Sequence, residues 1–160
     1  MTARLTTCLL LTLALAPLSA SPASAQTLPR VATIAGWRIG SGDSGDGGYA
    51  ARLSRHGRGW SYNHYVEYWR GNGGVVISDE FRSGRCQKGD QGIVRMDLGT
   101  SRRAFDRRLA AYLRECPLPR AEAAAFRSSL ARAWPRFLRE ARRQHAGMNA
   151  ELARIARGGG

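Results

Sequence analysis

Lysine is almost missing from this chain: Lys88 is the only one among 25 basic residues. Acids are scarce as well, 12 Asp and Glu in 160 residues, so the formal charge is +13. Cysteine occurs three times, with no Cys-x-x-C and no Cys/His ligand spacing, which removes support for a zinc site. No Asn-x-Ser/Thr acceptor occurs, as expected of bacterial and not eukaryotic export. The longest apolar run, residues 9–18, is half of the roughly 20 residues a membrane-spanning helix needs. The length excludes a two-domain dinucleotide enzyme and a (β/α)₈ barrel. At 43% apolar, the composition also excludes a wholly disordered chain. One domain remains.

What is present begins with an address. Residues 1–25 carry Arg4, the apolar run and the small-residue site Ala23-Ser24-Ala25, the three parts of a secretory signal peptide. The expected location is therefore the periplasm or the medium, with a mature chain from Gln26. Export leaves two cysteines, Cys86 and Cys116, and an even pair outside the cytoplasm predicts a disulfide.

The hydrophobic period divides the mature chain. Residues 26–36 read as an N-terminal extension, and residues 37–157 as a single domain, with 158–160 a frayed tail. Over residues 37–98 the period is 2. Strands are expected at 37–39, 49–55, 60–70, 75–81 and 92–98, with Gly71-Asn72-Gly73-Gly74 as a hairpin signal. Alternation places Trp60, Tyr62, His64, Val66 and Tyr68 on one face of the longest strand, and Ser61, Asn63, Tyr65, Glu67 and Trp69 on the other. Over residues 101–156 the period is 3.6. A first helix reaches about Glu115, and a second runs from about Arg120, with a kink or break expected at Pro135. The predicted fold is α+β: an antiparallel meander of four to five strands followed by two to three amphipathic helices on one of its faces.

Charge is uneven between the halves. Residues 26–100 hold 10 basic and 7 acidic side chains, and residues 101–160 hold 14 and 5. Arg132, Arg136, Arg139 and Arg143 recur at helical spacing opposite the apolar stripe, with Glu140 expected on a flank. Like charges so spaced repel. A face that keeps them suits an anionic partner, such as an anionic polymer or lipid headgroups, without sequence-specific nucleic-acid recognition.

Catalytic signals are sparse. His64 among tyrosines, with Glu67 nearby in sequence or Asp79 on the next strand, is the one acid/base set that can be drawn. Asp79 and Glu80 are adjacent, so they face opposite sides of a strand. Gly40-Ser41-Gly42-Asp43-Ser44-Gly45 matches G-x-G-x-x-G in letters but lacks the helix such a loop must open. Asp43 and Asp46 are too few oxygen ligands for calcium. No metal or cofactor is expected. The reading that results is an exported, non-enzymatic binding protein, with a small periplasmic hydrolase of cell-wall or carbohydrate substrates as the alternative.

Overall fold

A computed structural model describes residues 28–44, 48–69, 74–94 and 101–158. The expected signal peptide, the acidic loop at Asp46, the Asn72 hairpin tip and residues 95–98 of the expected fifth strand lie outside them.

Six antiparallel strands form one sheet in sequence order: β1 (Arg30–Ile34), β2 (Trp37–Asp43), β3 (Gly48–Gly57), β4 (Trp60–Trp69), β5 (Val75–Ser83) and β6 (Cys86–Val94). Two helices follow, α1 (Arg102–Glu115) and α2 (Arg120–Ala156). The α+β class stands, with more strands than expected. The extra one is β1, in the segment read as an extension. It is a half-exposed edge strand, and its hairpin to β2 turns on Ala35 and Gly36, both at positive φ, 52° and 81°. Such a turn favours Asn-Gly. An alanine there gives no turn signal. The last strand also begins earlier than expected, at Cys86, because the two-residue turn Gly84-Arg85 returns the chain at once beside β5.

Gly40 and Gly42 are strand residues of β2, not a phosphate loop. A side chain at Gly40 would press on Leu28, and one at Gly42 on Pro29.

Alternation in β4 holds along its length. Trp60, Tyr62, His64, Val66 and Tyr68 are buried under the helices, while Tyr65 and Trp69 stay on the outer face. Both helices present an apolar stripe to that sheet face: Phe105, Leu109 and Tyr112 from α1, and Phe126, Leu130, Trp134, Phe137, Ala141 and Met148 from α2. The stripe of α2 outruns the sheet, leaving Leu152 half-buried and Ile155 51% exposed. Pro135 lies inside α2, which continues through it without the expected break. Proline removes one intrahelical hydrogen bond. Trp134 and Phe137, buried on either side of it, hold both halves against the same core. Ser101 caps α1 by accepting from the Ala104 amide at 3.3 Å.

Polar cross-links tie α2 to the sheet. The Trp37 indole donates to Ser129 at 2.9 Å, Gln144 donates to Ser41 at 2.7 Å, and the Tyr49 hydroxyl donates to Glu151 at 2.6 Å. Cys86 and Cys116 form a disulfide, with Cα atoms 5.6 Å apart, linking the start of β6 to the end of α1.

Candidate functional site

Two groups of residues answer to the sequence expectations, one inside the molecule and one outside. The inner group forms where β4 and β5 pair. Their register sets His64 directly opposite Asp79. The His64 Nδ1 and Asp79 Oδ1 atoms are 2.7 Å apart, and the Tyr62 hydroxyl donates to the same oxygen at 2.6 Å. Arg108, reaching in from α1, donates its Nε–H to Asp79 Oδ2 at 2.7 Å. Since an ionised carboxylate only accepts, Nδ1 carries the histidine hydrogen.

Electrostatics at this carboxylate are set by opposed effects. Burial alone would raise the Asp79 carboxyl; the His64 ring, the Tyr62 hydroxyl and the Arg108 guanidinium outweigh it and hold the group below its ordinary value. Tyr62 is pushed well above the ordinary phenol value, first by burial and then by the adjacent Asp79 charge.

His64 and Asp79 therefore meet, as an acid/base pair requires, but not where a substrate could reach them. His64 is 0% exposed and Asp79 is 2% exposed. The free Nε2 of His64 has no hydrogen-bond partner, and its ring is packed by Phe105, Trp134 and Phe137. Glu67 does not join them; it lies on the opposite face of β4, beside Ser44 and Gly48. What the pair does is anchor α1 to the sheet through Arg108. Tyr62 and Arg108 completed the set without having been singled out in the sequence.

The outer group is the arginine row on α2. Arg132 and Arg139 point to solvent, joined there by Arg142. Arg136 and Arg143 do not stand free. Glu140, 4% exposed, is clamped between them, its two oxygens each 2.7 Å from one guanidinium. The expected flank position of Glu140 thus needs correction: one helical turn from each, it interleaves with the row and engages two of its four arginines with a single negative charge. Arg143 also donates to Ser41 at 3.3 Å. Arg132, Arg139 and Arg142 have no carboxylate partner among the described residues.

No family model, curated protein or solved structure matches this chain.

Among the described residues no cluster of His, Cys, Asp and Glu is arranged to hold a metal, and no helix is long and apolar enough to cross a membrane. Trp60, Tyr62 and Tyr68 are core, while Tyr65 lies on the outer face with the Arg52 guanidinium 5.6 Å from its ring.

Proposed function

We propose that this is an exported protein that binds an anionic component of the cell envelope through the outer face of its helices. The observation that carries the reading is the set of Arg132, Arg139 and Arg142, exposed on one face of α2 without carboxylate partners among the described residues. Arg132 and Arg139 are two turns apart, about 10 Å at 1.5 Å per residue. Charges so spaced raise a local potential that a multivalent anion can satisfy, and the attraction weakens as salt screens it. Affinity of this origin is modest and steeply salt-dependent.

Retention on immobilised heparin and sedimentation with anionic vesicles, each at low and high salt, test the reading. Arg132→Gln/Arg139→Gln/Arg142→Gln should elute at clearly lower salt than wild type. Arg136→Gln/Arg143→Gln should change retention much less and stability more, because it strips both partners from the buried Glu140. Equal retention of wild type and the triple variant would reduce the face to solvated surface. Export is tested separately: the periplasmic fraction should contain a chain whose N-terminus is Gln26.

A further inference from the structure

We propose that the groove between α1 and α2 is a binding site for a free fatty-acyl carboxylate, a ligand and a location separate from the outer arginine face. The groove, half open to solvent, holds about 420 Å³, within the range of small-molecule sites. Its floor is aliphatic, built from the buried Leu109 and Leu130 and the half-buried Leu113, with the small Ala110 and Asp106 beside them. Arginines stand along its rim, and their charges are not equally satisfied. Arg102 is neutralised by Asp106 at 2.8 Å and lies 5.4 Å from the Trp134 ring. Arg114 and Arg127 form no salt bridge among the described residues. Glu115, next to Arg114 in sequence, makes its salt bridge with Lys88 at 2.5 Å, and Arg114 adds only a weaker attraction.

Two cations without a salt bridge, over an apolar floor, define their complement: an apolar body ending in an anionic head. A hydrophilic polyanion would satisfy the rim and leave the leucines unused. A neutral lipid would do the reverse. A fatty-acyl carboxylate uses both, its chain along Leu109, Leu113 and Leu130 and its head between Arg114 and Arg127. Guanidinium and carboxylate match as two parallel hydrogen bonds, which favours this head over an alcohol.

The test is calorimetric titration of the disulfide-bonded protein with octanoate, decanoate and dodecanoate, and with alcohols of equal length, all below micelle formation. Carboxylate affinity should rise by up to about fourfold per added methylene until the floor is covered. Each carboxylate should bind more tightly than its alcohol. Arg114→Gln/Arg127→Gln should abolish that preference while leaving alcohol binding unchanged. Ala110 is exposed on α1, and leucine is nearly as good a helix former as alanine, so Ala110→Leu fills the groove without threatening the fold. It should weaken carboxylates at least tenfold while heparin retention is unaltered. Affinity independent of chain length, equal binding of acid and alcohol, binding only above micelle formation, or undiminished binding to Ala110→Leu would each overturn the proposal. None of these outcomes bears on the outer arginines, so the two readings fail separately.

Discussion

Asp79 accepts hydrogen bonds from Tyr62, His64 and Arg108, and it is through those contacts that a single side chain joins strand pairing to helix placement. Removing one member of a buried ion pair leaves the other uncompensated, at a cost of about 3 kcal/mol or more. Asp79→Asn should therefore lose about that much stability at neutral pH. Its acid response should change as well. The folded-state carboxyl titrates below its ordinary value, so the unfolded chain binds a proton that the folded chain refuses. The stability Asp79 contributes is then complete above the unfolded value of about 3.9 and drains away as pH falls from there through the folded value. Urea unfolding at pH 7, 4 and 3 measures this; the variant should show the shallower decline below pH 4, and parallel curves would contradict it. Histidine in mid-strand was visible in the sequence as a candidate, with Glu67 and Asp79 as alternative partners, but which of the two it meets was not. The neighbour in sequence, Glu67, lies across the sheet, whereas Asp79 becomes a neighbour only through register. A two-residue turn on Asn72-Gly73 would have set His64 opposite Phe81; the observed ladder, with Tyr68 opposite Val75, sets it opposite Asp79.

Among the elements, α2 carries the most evident local conflict. Pro135 is exposed, so it adds little to the core, yet it sits within a 37-residue helix. An interior proline costs about 3 kcal/mol relative to alanine. Pro135→Ala should raise stability by about 2 kcal/mol, part of the full cost being already relieved by local adjustment; the midpoint of chemical unfolding checks it. An unchanged midpoint would mean that the helix bears no strain there. Strength of apolar patterning decided which elements could be read beforehand. β4, with a large side chain at every inward position, was legible nearly to the residue. β1 was not, since Arg-Val-Ala-Thr-Ile is half exposed at a sheet edge, where no core face imposes alternation. β6 was misplaced for a similar reason: Gln87, Lys88, Gly89 and Asp90 give no hydrophobic period, and only the Gly84-Arg85 turn fixes their pairing. In α2 the stripe was legible, but the buried Glu140 was not, because its burial depends on two arginines folding over it.

At the scale of the whole molecule, a covalent link joins sheet to helix. The Cys86–Cys116 bridge closes a loop of 30 residues. Restriction of the unfolded chain by such a loop contributes roughly 3–4 kcal/mol. Thermal unfolding with and without reductant should differ accordingly, and the Cys86→Ala/Cys116→Ala protein should match the reduced wild type. A reduced protein as stable as the oxidised one would show that the non-covalent core suffices. Strand order adds a consequence in time. Because every strand pairs with the one made just before it, a nascent chain can extend its sheet hairpin by hairpin as it emerges. The cover comes last: Phe126 to Met148, which seal the apolar face, are synthesised only after all six strands. Until then the growing sheet presents Trp37, Tyr62, Val66 and Phe81 to its surroundings. A chain stopped before α2 is thus a sheet with one adhesive face, shielded only where Phe105, Leu109 and Tyr112 of α1 lie across it.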